Sequence, residues 1–428
     1  MVRRAAMTGR RHFLAAAAAT LACTLAPRAR AQRNAGRVVV VGGGYGGATL
    51  ARYLREWSSG SLDVTLVERD LAFVSCPMSN LVLGGSRTLA DLTFDYAALV
   101  ARGVKVVRAI AQNVDPAAQK LILGDGRTLA YDRLVLSPGI DFMFDAIPAF
   151  ADPAVRARFP HAWRAGPQTL ALRRSLEAMR EGGVFAIAIP LAPLRCPPAP
   201  YERACQVATY LKRANPRAKV LILDANDDVL SKKELFKSAW STLYPGMIEY
   251  RPNLALTDVD PATRTLKFDF GDDVAADVIN VIPPQKAGAI ADAAGVVTAN
   301  GRWCEVDFLT FESVKVRNVH VLGDAIQTAP LMPKSAHMAN QQAKVCAAAI
   351  VALQAGQAVD PAPMLANTCY SFMSDTLAAH VTSVHRYDTS QRTFLPVEGA
   401  GGVSAASNAL EAAYGEAWAK NIRADSFG

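Results

Sequence analysis

The sequence predicts an α/β chain with two dinucleotide-binding-type domains and a small C-terminal interface domain. Three observations carry this reading: a strand, glycine-rich turn, helix and strand in succession near the start, a second strand–helix alternation in the middle, and a late strand ending on Gly-Asp ahead of a long helix. At 428 residues the chain can bury a large core across two or three domains.

The first unit opens with the apolar β-branched run Val38 to Val41, followed by Gly42-Gly43-Gly44-Tyr45-Gly46-Gly47 and a helical pattern through Ala48, Leu50, Ala51 and Leu54. A second strand, Val64 to Val67, ends on Glu68. Gly42, Gly44 and Gly47 fit GxGxxG, where the glycines allow a tight turn, close approach of backbone to a pyrophosphate, and close packing of helix on strand. Glu68 is placed to accept from a ribose hydroxyl and would repel a 2′-phosphate, which points to the adenosine of FAD or NAD rather than NADP.

Further strand-like runs follow at Val104 to Val107, Lys120 to Leu123 and Leu134 to Leu136, before a Pro- and Ala-rich segment from Ile147 to Pro160. The second unit has strands at Val184 to Ile189 and Val220 to Leu223, a helix after Pro200, and strand-like segments near Thr263 to Phe270 and Val278 to Ile282. Its first turn, Pro190 to Pro198, contains no glycine, so backbone cannot approach a pyrophosphate there; the unit is expected to keep the shape of an NAD domain without binding NAD(P)H. Val319 to Leu322 give a late strand capped by Gly323-Asp324, and an Ala-rich helix runs from about Ser335 to Leu353. The rest has weak periodicity, with aromatics at Tyr370, Phe372, Tyr387, Tyr414 and Trp418. The expected domains are 32–166 with 305–360 for the dinucleotide, 167–304 for the NAD-like unit, and 361–428 for the interface.

Residues 1–31 read as an address. Arg10-Arg11 precedes a moderately apolar run to Ala26, and Ala29-Arg30-Ala31 suits signal peptidase, which implies twin-arginine export of a folded, cofactor-loaded protein to the periplasm. That run is too short to span a bilayer, and no later stretch looks transmembrane. The leader holds six arginines and no acid, leaving +2 of the net +8 for the remainder, which offers no argument for nucleic acid. The histidines show no metal-ligand spacing and no CxxCH haem site exists in the chain.

Leu134-Val135-Leu136-Ser137-Pro138-Gly139 and Val321-Leu322-Gly323-Asp324 resemble the middle and late elements of flavin disulfide reductases, which makes FAD the expected cofactor, with Asp324 on its ribityl chain. The stretch from Val38 to Gly428 resembles, more specifically, the flavoprotein subunit of flavocytochrome c sulfide dehydrogenase. The likeness rests on Val38 to Thr49, Ser75 to Asn80, Arg195 to Ala204, Ile279 to Gly288, Met332 to Ser335, and Trp418 to Gly428.

That resemblance implies FAD attached covalently through Cys76, sulfide or a related small sulfur compound as substrate, and a c-type cytochrome partner subunit that alone carries haem. It assigns Cys196 as the first of two redox cysteines, Glu202 as a proton-transferring acid, Lys334 and Ser335 as the flavin-facing start of the late helix, and Trp418 as an aromatic covering the flavin. The second redox cysteine is expected directly after Gly323-Asp324-Ala325, where this chain has Ile326. On that alignment the sulfide chemistry is in question, and the alternatives are a divergent flavoprotein acting on another thiol or organic donor, or a non-catalytic electron-transfer flavoprotein. Cys205 and Cys346 are expected to pack as small apolar residues. Cys304 and Cys369 could form a structural bridge or stay reduced.

Overall fold

The computed structural model describes residues 36–428; the proposed leader and its cleavage site lie outside the described residues. The chain begins with β1 (Arg37–Val41), α1 (Tyr45–Trp57), β2 (Asp63–Glu68), β3 (Lys105–Arg108) and β4 (Arg133–Leu136). The middle contains β5 (Val184–Ile189), α2 (Ala199–Ala214), β6 (Lys219–Asp224), α3 (Lys233–Thr242), β7 (Ile248–Arg251) and β8 (Val278–Val281). Then come β9 (Val319–Val321), α4 (Ala336–Gln354), β10 (Met364–Phe372), β11 (Ala378–Asp388), β12 (Thr393–Pro396) and α5 (Ala409–Phe427).

The first sheet has the parallel order β9-β4-β1-β2-β3, extended beyond β9 by two short antiparallel strands, Glu312–Ser313 and Val306–Asp307. It therefore draws strands from both sides of the middle segment. Val38 to Val41 are all buried, as a strand covered on both faces requires. The second sheet, β7-β6-β5-β8, is wholly parallel. Parallel strands need crossover connections, and α1 and α2 supply the first crossover of each sheet.

The C-terminal part is more regular than its pattern suggests. It folds into a long antiparallel hairpin, β10 against β11, with β12 and a short Gly402–Val403 strand alongside, and then the 19-residue α5. Several consecutive residues on β11 are only half buried, so strict alternation is blurred. The small residues of α5 let it pack closely: Gly415 lies against the Phe372 ring and Tyr370, where a Cβ would meet ring carbons at 3.2 Å.

Among the described residues no helix is long and apolar enough to cross a membrane. No group of three or more His, Cys, Asp or Glu side chains there could hold a metal ion.

Candidate active site

The carboxyl ends of β1, β4 and β9 form the crevice where an open α/β sheet binds its ligand. Gly42 leaves β1 at φ +97°, its amide donating to Val67 O at 3.0 Å, and a side chain there would run into the Ser137 carbonyl. Gly47 sits where a Cβ would overlap the Gly42 carbonyl oxygen, so helix α1 can start only with glycine at this point. Gly44 caps α1 in extended backbone. Glu68 lies at the same turn: its Oε2 accepts the Gly43 amide at 2.6 Å, and its Oε1 accepts those of Arg69 and Asp70.

Gly139 follows β4, and Gly323 follows β9, packing near Ser137 and Ala339 and donating to Gln342 Oε1 at 2.8 Å. Beside Gly323, Asp324 presents an Oδ1 that is closed off from solvent and has no hydrogen-bond partner, and burial holds its carboxyl above the usual range. Trp418 Nε1 is likewise enclosed and unpartnered. A glycine cradle at one end and orphaned polar atoms at the other fit FAD, whose ribityl hydroxyls would satisfy Asp324.

Lys334 precedes the capping residue of α4. Only 5% exposed, it turns its ammonium back on the preceding turn, donating to Asp324 O at 2.9 Å and Ile326 O at 2.6 Å, over the Trp303 ring. Burial lowers its pKa to about 8. Ser335 caps α4, accepting the Met338 amide and donating to Asn367 Oδ1 at 2.7 Å. Trp418 stands in an aromatic wall with Tyr370 and His337, at centroid distances of 6.2 and 6.1 Å.

Cys76 lies between the Phe73–Val74 strand and the Asn80–Gly84 helix, its Sγ 3.7 Å from the Trp163 carbonyl. Arg195 donates to that same carbonyl, and Arg164 and Arg203 lie within electrostatic reach of the thiol. Arg203 is buried, bonded to Asn80, Asn280 and the carbonyls of His161 and Ala162.

The cysteine beside Cys196 is Cys369, and not a residue that follows Gly323-Asp324-Ala325. The two thiols lie close enough to perturb each other strongly. Cys196 is held in left-handed backbone, φ +55°, where its amide donates to Lys334 O at 2.8 Å and its carbonyl accepts from Ala199 at the start of α2. Cys369 arrives on β10, which is pinned by Asn367 to Ser335 and by the Thr368 amide to His337 Nδ1 at 2.9 Å. The Cys196 thiol is raised well above its ordinary pKa, and Cys369 is drawn below, chiefly through the interaction of the two side chains. Lys232 lies beside the pair, its Nζ donating to Cys369 O at 3.1 Å.

Ile326 is fully buried and bridges main chain to main chain with Cys304, so it belongs to the core and not to the redox pair. Cys205 and Cys346 are buried on helices, where burial raises their thiols. Cys304 and Cys369 do not bridge. Cys369 lies far along the chain from Gly323-Asp324-Ala325, in a segment whose weak periodicity gives no reason to bring it to the site.

Glu202 sits on the first turn of α2, where Oε2 accepts Asn80 Nδ2 at 2.7 Å and Oε1 accepts the Phe372 amide at 2.8 Å. Burial raises its pKa to about 7, against the lowering effect of these two bonds. A carboxyl titrating there, close to the two thiols, can exchange protons with a sulfur nucleophile near neutrality.

Comparison with known proteins agrees with this geometry. Family models match residues 169–283 (sulfide dehydrogenase [flavocytochrome c] flavoprotein chain, central), 361–427 (flavocytochrome c sulphide dehydrogenase, flavin-binding) and 36–160 (pyridine nucleotide-disulphide oxidoreductase). The sulfide dehydrogenase [flavocytochrome c] flavoprotein chain of Chlorobaculum thiosulfatiphilum is 63% identical over 46 residues, 11% of this chain and 94% of that sequence. The mitochondrial sulfide:quinone oxidoreductase of Dictyostelium discoideum is 23% identical over 311 residues, 69% of this chain and 66% of that protein. Among solved structures, the sulfide:quinone oxidoreductase of Aquifex aeolicus superposes with TM-score 0.76 at 18% identity, covering 91% of this chain and 92% of its own, a likeness of fold. Together these place the chain in the family of the flavoprotein chain of flavocytochrome c sulfide dehydrogenase, FAD-dependent oxidoreductases of the disulfide oxidoreductase fold.

Proposed function

We propose that this chain oxidises sulfide, or a related small sulfur compound, in an FAD-dependent reaction and passes the electrons to a c-type cytochrome subunit that carries the haem. The observation that carries the reading is the meeting of Cys196 and Cys369 beside Glu202. The names of the relatives, a flavocytochrome c sulfide dehydrogenase and sulfide:quinone oxidoreductases, support it.

In its oxidised form the pair is a disulfide. Hydrosulfide attacks one sulfur, a new S–S bond forms as the Cys–Cys bond breaks, and one cysteine leaves as thiolate while the other holds a persulfide. Glu202, as carboxylate, takes the proton that the attacking sulfur gives up. Bound FAD supplies a two-electron acceptor for the thiolate. Gly42, Gly44, Gly47 and Glu68 would hold its adenosine and pyrophosphate, Gly139, Gly323 and Asp324 its middle, and Ser335 with Lys334 the start of α4 beside its ring. The glycine-free turn from Pro190 to Pro198 supports a donor other than NAD(P)H.

Covalent attachment through Cys76 is part of the proposal, supported by its place in the loop ahead of the Asn80–Gly84 helix, beside the Trp163 carbonyl that accepts from Arg195. Export to the periplasm by the twin-arginine route rests on Arg10-Arg11 and the run behind them.

The test is anaerobic mixing of purified FAD-loaded protein with sulfide while following the flavin absorbance. Prompt bleaching in the wild type and none in Cys196→Ser or Cys369→Ser is expected. A wild type that does not bleach, or cysteine variants that bleach as fast, would overturn the reading. A second addition of oxidised cytochrome c should restore the flavin spectrum.

A further inference from the structure

Lys232 has no place in the sequence motifs, yet the fold gives it unusual terms. It is 6% exposed and stands just before α3 at φ +56° and ψ +37°, a left-handed conformation that a residue with a β-carbon rarely adopts. The next lysines along, Lys233 and Lys237, both pair with Asp228, whereas Lys232 forms no ion pair among the described residues. Its Nζ donates instead to the carbonyl of Cys369. A buried lysine held by a main-chain carbonyl, on strained backbone, is a combination that gathers at working sites.

We infer that Lys232 is a positioning residue for the sulfur chemistry: its ammonium holds Cys369 as the leaving thiolate, so that hydrosulfide opening a Cys196–Cys369 disulfide attacks Cys196 and leaves the persulfide there. This rests on the proposed sulfide reaction. The charged and titratable groups facing Cys369 are Cys196, Glu202 and Lys232, and of these only Lys232 is a cation.

The balance is simple. HS⁻ and the disulfide give Cys196–S–SH and Cys369–S⁻; the Cys–Cys bond breaks, one S–S bond forms, the attacking sulfur is oxidised and the Cys369 sulfur is reduced. The proton stays on the persulfide until a base such as Glu202 removes it. Thiol–disulfide exchange is faster when the departing thiol is the more acidic, so the cysteine whose main-chain carbonyl holds the ammonium should be the one that leaves.

The experiment uses the reduced, FAD-loaded protein without sulfide, so that its outcome is separate from turnover. Iodoacetamide labelling of Cys369 and Cys196 is measured against pH by peptide mass spectrometry in the wild type, Lys232→Asn and Lys232→Arg. Asn is at home in left-handed backbone and neutral; Arg keeps the charge. The midpoint for Cys369 should rise by about one pH unit or more in Lys232→Asn and stay near the wild-type value in Lys232→Arg. Bound FAD in each variant reports that the fold is intact, and Lys232→Met provides a second neutral side chain of nearly native length. An unchanged midpoint in both neutral variants, or an equal shift in Lys232→Arg, would overturn the inference. Trapping the persulfide after one equivalent of sulfide on the oxidised protein is the second readout: it should lie on Cys196 in the wild type and spread to both cysteines in the neutral variants, and wild-type persulfide on Cys369 would also overturn it. Failure of the flavin to bleach with a normal charge-dependent midpoint would instead count against the substrate alone.

Discussion

Glu202 Oε1 accepts the main-chain amide of Phe372 at 2.8 Å, and this one bond ties the helix that follows Cys196 to the strand that carries Cys369. The carboxyl is thus both a structural clamp and a titrating group. Its folded pKa of about 7 lies above the ordinary 4.5, so the protonated form favours the fold. The stability this gives is fully present below about pH 4.5 and is lost as pH rises through about 7. Against a constant offset, the melting temperature of Glu202→Gln should therefore gain on the wild type between pH 5 and 8, by up to about 3 kcal/mol in stability, and then run parallel. Thermal unfolding across that range measures it; parallel curves throughout would contradict the raised pKa.

Ile326 is a core residue, so restoring a cysteine there should not help. In a Cys369→Ser background, Ile326→Cys is expected to leave sulfide-dependent flavin bleaching absent, because position 326 bridges to Cys304 rather than facing Cys196. Single Cys196→Ser and Cys369→Ser variants should each lose bleaching while keeping FAD. Anaerobic spectroscopy on the three proteins decides it.

The adenosine end of the site depends on closeness more than on charge. Gly47→Ala would force a methyl into the Gly42 carbonyl, and this variant should bind no FAD or fail to fold. Asp324→Ala removes the acceptor left for a ribityl hydroxyl, and FAD dissociation in a Cys76→Ala background should rise by roughly tenfold, the usual loss for one such hydrogen bond. The Cys76→Ala background is needed because a covalent link would mask dissociation. Cys76→Ala alone should release its flavin on acid precipitation, where the wild type keeps it bound.

The C-terminal helix closes on the glycine turn. Phe427, 5% exposed, stacks on Phe73 at 5.3 Å and meets the rings of Tyr45, Phe94 and Tyr96, while Asp425 accepts from Tyr53, Asn340 and Lys344. Phe427→Ala should cost about 3 kcal/mol, as large-to-small changes in a core do. Denaturant unfolding provides the number, and a loss under 1 kcal/mol would mean that the helix end is loosely held.

What the sequence by itself determined is the half of the site written in contiguous residues. Val38 to Gly47, Glu68, Gly139 and Gly323-Asp324 each combine a strand of apolar residues with the turn chemistry that follows it, so periodicity and glycine spacing reveal them together. Only the tertiary structure decided the sulfur half. Cys196 lies on a connection of the second sheet and Cys369 on strand β10 of the C-terminal sheet, and they meet because the Cys196 amide docks on Lys334 while β10 passes the opening of α4 through Asn367 and Thr368. Lys232 reaches the pair from a third element, through one left-handed residue. Contacts of that kind leave no periodic trace along the chain, because each is made by long-range packing rather than by the local order of residues.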